Sequence, residues 1–262
     1  MPGLYAEDMS SSSLACRKFG ATSTTPVVLL HGFTQNADCW GPFGTEMAIN
    51  HPLVAIDLPG HGGSSEVRAD LPETAALLAS LLEPSIVLGY SLGGRIALHL
   101  ALANPELVTR LVLIGATGGI ENANERETRR TSDEQLADHL EDIGVEAFLD
   151  EWLAQQLFAS LTAEQAMREI RATNSREGLA SSLRLCGTGT QEPLWSRLHE
   201  LAMPVLVIAG ANDAKFTQLG HQLVDAIGEN ATFRAIENAG HSAHLENPVT
   251  TASVIETWLL DH

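Results

Sequence analysis

The octet LGYSLGGR, Leu88 to Arg95, carries Gly89-Tyr90-Ser91-Leu92-Gly93, a G-x-S-x-G run. It follows the apolar SIV of 85–87 and leads into the helical pattern GGRIALHLALANPE of 93–106. A serine between glycines at a strand-to-helix junction reads as a nucleophile elbow, because the backbone must turn sharply there without side-chain clashes. Arg95 closes the octet one helical turn past the serine. A cation near a helix N-terminus is disfavoured by about 0.3–1 kcal/mol, so its presence asks for a compensating anion.

Outward from the elbow, five more short apolar runs recur: PVVLLHG (26–32), PLVAIDLPGHG (52–62), LVTRLVLIGA (107–116), PVLVIAGAND (204–213) and TFRAIENAGH (232–241). Continuous runs of this kind mark parallel strands buried on both faces. DLPETAALLASLLE (70–83) and VTTASVIETWLLDH (249–262) have amphipathic helical character. The alternation predicts an α/β fold with a mostly parallel sheet flanked by helices. The rhythm breaks between Gly118 and Leu198, where only helical patterns occur. This predicts an inserted helical cap over 118–198 on a core made of 1–117 and 199–262.

In an open parallel sheet, chemistry gathers at the carboxyl ends of the strands. Those ends carry HGF (31–33), DLPGHGGS (57–64), GYSLGGR (89–95), GAND (210–213) and GHSAH (240–244). Asp213 and His241 follow Ser91 in the order Ser, Asp, His, each just after a predicted strand. In that arrangement the aspartate holds the imidazole, and the imidazole deprotonates the serine. His31, His61 and His244 are read as structural, since only His241 follows Ala239-Gly240 after a strand. Asp57 is a rival acid, read instead as a strand end that hydrogen-bonds the following loop. An oxyanion needs backbone donors, assigned to Leu92 and Phe33, with Gly32 and Thr34 as alternatives to the second.

At 262 residues the chain is long enough for one large domain with a full core. Cys16, Cys39 and Cys186 are an odd set with no close pair, so neither a disulfide framework nor a zinc cluster is expected, and a reducing cytoplasm fits. The first twenty residues lack a basic start and an unbroken apolar stretch, and no apolar run approaches the roughly 18 residues of a membrane span. A soluble cytoplasmic protein without membrane insertion is expected. The formal net charge of -18 argues against nucleic acid or anionic membrane as partner. Of 15 basic residues only Lys18 and Lys215 are lysines; arginine forks suit carboxylates. The sequence does not set an oligomeric state.

HGFTQNADCW, DLPGHGGSS, GYSLGGRIAL and AGHSAHLENP resemble segments of the α/β-hydrolase superfamily, which implies an α/β-hydrolase fold without fixing a reaction. NANERETRRTSDEQLA (122–137), FLDEWLAQQLFASL (148–161), REIRATNSREGLASSLRLCGTGTQEPLW (168–195) and GANDAKF (210–216) resemble one branch. That branch is the 2-succinyl-6-hydroxy-2,4-cyclohexadiene-1-carboxylate (SHCHC) synthase family of menaquinone biosynthesis. The resemblance runs from about residue 26 to 260. It implies a lyase that eliminates pyruvate from the tricarboxylate 2-succinyl-5-enolpyruvyl-6-hydroxy-3-cyclohexene-1-carboxylate, with no metal and no organic cofactor. It matches Ser91, Asp213 and His241 to the triad, and Tyr90, Arg95, Arg129, Trp152 and Arg171 to substrate-binding positions. Arg126 and Arg130 flank Arg129, and Arg168 and Arg176 flank Arg171. The chain departs from the family at Gly118-Gly119-Ile120, where Pro-Gly-Leu is common, and at Leu92, where methionine is frequent.

Two other function classes fit the elbow alone. A carboxylesterase or carbon-carbon bond hydrolase would use the same triad and leave Arg95 as an incidental surface ion-pair residue. A non-catalytic ligand-binding protein of the same fold would show tight binding without turnover. The lyase reading further requires a locally positive potential at the cleft mouth of this acidic chain. Trp40, Trp195 and Trp258 are read as packing residues, with Trp40 able to approach the site from the loop after HGF.

Overall fold

A computed structural model of the chain describes residues 14–22 and 25–262; residues 1–13, which include most of the N-terminal segment weighed above, lie outside them. Seven strands form one sheet in the order β1-β3-β2-β4-β5-β6-β7. They are β1 (Cys16–Gly20), β2 (Val27–Leu30), β3 (Pro52–Ile56), β4 (Ser85–Tyr90), β5 (Val108–Ile114), β6 (Val205–Gly210) and β7 (Ala231–Ile236). β1 pairs antiparallel with β3, and every other pairing is parallel. The six strands predicted from apolar runs are present. Each observed strand is shorter than its run, because the polar ends of those runs are the loops that carry the site.

Alternate residues of one strand enter different cores, which is why the strands read as unbroken apolar runs. Val28 and Leu30 pack with Leu78 of α2 (Leu71–Leu81), Ile96 of α3 (Leu92–Ala103) and Leu223 of α8 (Ala214–Ile227). Val27 and Leu29 pack on the other face with Phe43 of α1 (Gly41–Met47) and Ile255 of α10 (Pro248–Asp261). α2 starts on a reciprocal capping box: Asp70 Oδ1 accepts from the Glu73 amide at 2.8 Å, and the Asp70 amide donates to Glu73 Oε2 at 2.9 Å.

Between β5 and β6 no strand occurs among the described residues. The segment holds α4 (Ala123–Leu153), α5 (Ala163–Ala166), α6 (Arg168–Arg171) and α7 (Arg176–Cys186), and the short α9 (Ala243–Glu246) follows β7. α4 bends at Gly144, whose φ of +80° suits only glycine at low cost. The inserted helices have a core of their own, built from Ala137, Leu140, Phe148, Leu179, Ala180 and Leu183, with Phe33 and Trp152 packed against it.

Candidate active site

Ser91 ends the turn between β4 and α3 with φ 50° and ψ -105°, a conformation that costs a non-glycine residue about 1–3 kcal/mol. Its neighbours explain why glycine flanks it. A Cβ on Gly89 would run into the Gly93 carbonyl, and one on Gly93 would strike the Leu30 carbonyl. Two backbone bonds fasten the turn to the sheet: the Ser91 amide donates to Ile114 O at 2.9 Å, and the Gly93 amide donates to His31 O at 3.0 Å.

His241 and Asp213 arrive from the ends of β7 and β6. His241 Nδ1 lies 3.0 Å from Asp213 Oδ2, and His241 Nε2 lies 3.3 Å from Ser91 Oγ. An ionised carboxylate only accepts, so Nδ1 carries the proton and Nε2 is left to accept from the serine hydroxyl. Burial alone would raise the Asp213 pKa. The hydrogen bonds from His241 and the Phe216 amide, with the nearby charge of Lys215, outweigh it and hold the carboxyl below the ordinary aspartate range. Phe216 packs on His241 with ring centroids 4.3 Å apart, and Tyr90 packs on it at 5.4 Å. Burial pushes the Tyr90 hydroxyl up to about 12, so it remains protonated and hydrogen-bonds Ser242 Oγ at 2.7 Å.

The histidines read as structural are buried away from the serine, and His31 and His61 hold their own loops, His61 through Nδ1 to Pro59 O at 3.0 Å. The Leu58 amide donates to His31 Nε2 at 3.0 Å, which leaves Nδ1 to donate to Gly32 O at 2.8 Å. Burial lowers His31 to about 4, and lowers His61 and His244 to about 3. Asp57 accepts from the amides of Ala37 at 2.7 Å and Gly63 at 2.8 Å, joining two loops at the sheet's carboxyl edge.

A cleft of about 730 Å³ opens above Ser91 between the sheet's carboxyl edge and the inserted helices. Phe33, Tyr90, Ser91, Leu92, Arg95, Arg129, Trp152, Arg171 and His241 all line it, and Asp213 stands behind His241. The Leu92 amide, first in α3, has no partner within the helix. Of the candidates in the loop after β2, Gly32 has its amide engaged with Gln35 Oε1 at 2.9 Å, whereas Phe33 faces the cleft.

The arginines separate by environment. Arg129 lines the cleft, its Nε donating to Asp133 Oδ1 at 2.7 Å, while Arg126 donates to the Ile120 and Glu121 carbonyls and Arg130 pairs with Glu127. Arg168 pairs with Glu146 and Asp150, and Arg176 with Glu177. Arg171 instead is 1% exposed and lines the cleft. Its Nε donates to Ala166 O at 2.7 Å and its Nη1 to Thr34 Oγ1 at 2.5 Å, while Nη2 has no partner. Among the described residues Arg171 forms no ion pair with a carboxylate, and burial lowers its pKa. Arg95 is also buried, which lowers it to about 10. Its Nη2 donates to Cys186 O at 2.7 Å and its Nη1 to Gly187 O at 3.3 Å.

Four cations on the cleft wall, Arg95, Arg129, Arg171 and Lys215, face three carboxylates, Glu121, Glu125 and Asp133. By formal count these lining side chains carry one net positive charge in a chain of -18. Trp152 stacks on Phe148 at 5.8 Å and meets Phe33 edge-on at 5.2 Å, and its shielded indole N–H has no partner.

Trp195 packs against the sheet core as read and also lines the cleft, its Nε1 donating to Gly119 O at 2.9 Å, whereas Trp40 is 2% exposed and packs beside Phe43 and His244. The cause is Gly118, where a Cβ would meet the Trp195 ring at 2.9 Å; the glycine lets the indole lie on the segment after β5. Asp133, Lys215, Phe216 and Glu246 also stand at the cleft or its histidine loop without a site role legible in the sequence. Each stands within four residues of a recognised motif position or inside a quoted segment, yet has no pattern of its own.

The sequence matches the Alpha/beta hydrolase family over residues 27–254. It is similar to the putative 2-succinyl-6-hydroxy-2,4-cyclohexadiene-1-carboxylate synthase of Bacillus subtilis, at 35% identity over 92% of this chain and 92% of that protein. To the synthase of the same name from Salmonella typhimurium it is 36% identical, over 87% of this chain and 91% of the relative. Among solved structures, MenH from S. aureus superposes with a TM-score of 0.88 at 30% identity, covering 94% of this chain and 98% of that one. A thermophilic esterase from Thermogutta terrifontis, at 23% identity and a TM-score of 0.81 over 95% and 93% of the two chains, shares the fold.

Proposed function

We propose, from the premise that this chain belongs to the alpha/beta hydrolase family and within it to the SHCHC synthases, that it is the menaquinone-pathway lyase that eliminates pyruvate from 2-succinyl-5-enolpyruvyl-6-hydroxy-3-cyclohexene-1-carboxylate. The observation that carries the reading beyond the family is Arg171. A buried guanidinium without a carboxylate partner is costly to keep. A ligand that brings carboxylates into the same cleft as Ser91 relieves that cost. A small neutral ester does not.

In this reading Asp213 holds His241, and His241 takes the proton of Ser91. The serine oxygen then removes a ring proton of the substrate instead of attacking a carbonyl. The electron pair released moves toward the succinyl carbonyl, whose oxygen the amides of Leu92 and Phe33 stabilise. As the pair returns, the ring carbon-oxygen bond breaks and pyruvate leaves as its enol or enolate, the proton held on His241 passing to it or to solvent. Arg95, Arg129 and Arg171 receive the substrate's carboxylates, and Tyr90 and Trp152 pack against its body. Every step uses side chains and amides of this chain, with no metal or organic cofactor called on.

The inserted helices, residues 118–198, act as the cap over a core of 1–117 and 199–262. The three free thiols support a reducing cytoplasmic setting, and among the described residues no helix is long and apolar enough to cross a membrane. The partner is a small tricarboxylate. The test is pyruvate release by the purified protein from the enolpyruvyl precursor, run beside hydrolysis of a small neutral ester. Rapid pyruvate formation that Ser91→Ala abolishes is the expected result. Ester hydrolysis without pyruvate favours the hydrolase reading.

A further inference from the structure

Glu246 is placed to fix the histidine loop. Its carboxylate straddles His241, accepting from the Gly240 amide at Oε2 (2.6 Å) and from the Ser242 amide at Oε1 (3.0 Å). Both oxygens are thus spent on the two backbone donors that flank the histidine, and among the described residues Glu246 forms no ion pair with a cation. Charge-assisted bonds of this kind are roughly twice as strong as neutral ones.

The surroundings are built for this grip. A Cβ on Gly240 would lie 3.2–3.3 Å from the carboxylate oxygens and 2.6 Å from Ser160 Oγ, so the glycine makes room for both. The loop enters through Asn238 at φ +57°, and Ala239 O accepts from the Asn212 amide at 2.9 Å, beside the acid Asp213. Gln165 of α5, in the inserted helices, donates its Nε2 to the Glu246 carbonyl at 3.2 Å. Ser242, held by Glu246 through its amide, is the residue that meets the Tyr90 hydroxyl. The Glu246 carboxylate therefore holds the histidine loop and, through Ser242, the tyrosine before the serine, while its backbone carbonyl meets the inserted helices.

We infer that Glu246 is a positioning residue: it holds the His241 backbone so that Nε2 stays within reach of Ser91 Oγ while Nδ1 keeps Asp213. The inference rests on the reading that Ser91 acts through His241. A glutamine at 246 keeps one acceptor and turns an NH₂ toward an amide N–H, leaving one flank of the histidine unheld. An aspartate keeps the charge and both acceptors but falls one methylene short.

The experiment measures two quantities on the full chain for wild type, Glu246→Gln and Glu246→Asp. The first is the rate of covalent labelling of Ser91 by a fluorophosphonate, which reads serine activation whatever the natural reaction is. The second is kcat and KM for pyruvate release, with folding followed by circular dichroism and Tm. For Glu246→Gln both the labelling rate and kcat fall about tenfold to a hundredfold, from the loss of a hydrogen bond to a charged group, with KM within threefold of wild type. Glu246→Asp falls between the two. If the glutamine variant does not fold, the aspartate variant is read in the same way. Wild-type labelling by a folded variant overturns the inference, as does a loss confined to KM. A wild-type protein that labels briskly but releases no pyruvate sinks the lyase reading alone, and the labelling series still decides the role of Glu246.

Discussion

The guanidinium of Arg95 lies 2.7 Å through Nη2 from the carbonyl oxygen of Cys186, the last residue of α7. The elbow helix thus sends its cation to the C-terminal end of a helix in the inserted region, where the dipole favours positive charge. The penalty at the α3 N-terminus is offset before any ligand arrives. Arg95 also forms part of the cleft wall, so it ties the floor of the site to its cover.

Replacing Arg95 by alanine therefore acts twice. It leaves the Cys186 carbonyl without its side-chain donor, while Gly187 O keeps the Thr190 amide and hydroxyl, at a cost of about 1–3 kcal/mol of stability. It also removes a carboxylate partner, lowering kcat/KM for the tricarboxylate by about a hundredfold, while any hydrolysis of a small neutral ester persists. Arg95→Lys recovers little, because an ammonium does not present the planar fork that reaches two carbonyls. Urea denaturation and paired kinetics with the two substrates separate the effects.

Among the clustered arginines of α4, Arg129→Ala raises KM by about tenfold or more through loss of a charge-assisted contact. Arg126→Ala and Arg130→Ala leave KM within about twofold, since neither side chain lines the cleft: Arg126 holds the Ile120 and Glu121 carbonyls, and Arg130 forms an exposed ion pair with Glu127, a kind that contributes little. Steady-state pyruvate kinetics on the three single variants check the contrast. Equal effects at all three positions would contradict the placement of Arg129 on the cleft wall.

Gly93→Ala places a Cβ against the Leu30 carbonyl at the tightest part of the elbow. Overpacking against a fixed backbone costs about 1–3 kcal/mol or more. The variant should lose Tm and fluorophosphonate labelling together. Gly228→Ala meets nothing within 4 Å but carries the strain of φ +107°, so it should lower Tm and leave labelling of the folded protein intact.

Acid stability follows from the buried histidines. His31 falls from 6.5 to about 4 on folding, and His61 and His244 from 6.5 to about 3, because burial disfavours their charged forms. Between those values the unfolded chain binds more protons than the native one, so stability rises with pH. It is complete above about 6.5 and declines as the pH falls toward 4, by up to about 1.4 kcal/mol per pH unit for each histidine. Asp213, held below its ordinary value, adds a loss at lower pH, beginning as the pH passes below the unfolded aspartate value of 3.8 toward its folded one. Urea midpoints at pH 7.5, 6 and 5 should decrease in that order; constant midpoints would contradict the neutral buried state of these rings.

Much of this was legible from LGYSLGGR outward because two-sided burial writes itself as apolar runs and the fold places chemistry where those runs end. β1 was not legible: CRKFG is an exposed edge pairing with β3 on one side only, so it carries no apolar signature. Position along the chain brought Ser91, Asp213 and His241 into view, but which arginine of a cluster faces the cleft depends on helix phase. Arg129 and Arg130 are neighbours in sequence and point to different surroundings. Glu246 was hidden for another reason. Its partners are backbone amides, and a carboxylate that holds amides leaves no side-chain partner to find.

The central claim is that Ser91 works as a base. The direct measurement is intact-protein mass spectrometry on samples quenched during turnover of the enolpyruvyl substrate, with pyruvate quantified in the same samples. The account predicts one pyruvate per substrate consumed and a protein of unmodified mass at every time point. A covalent adduct on Ser91 that forms and decays at the rate of turnover, or substrate loss without pyruvate, would contradict it.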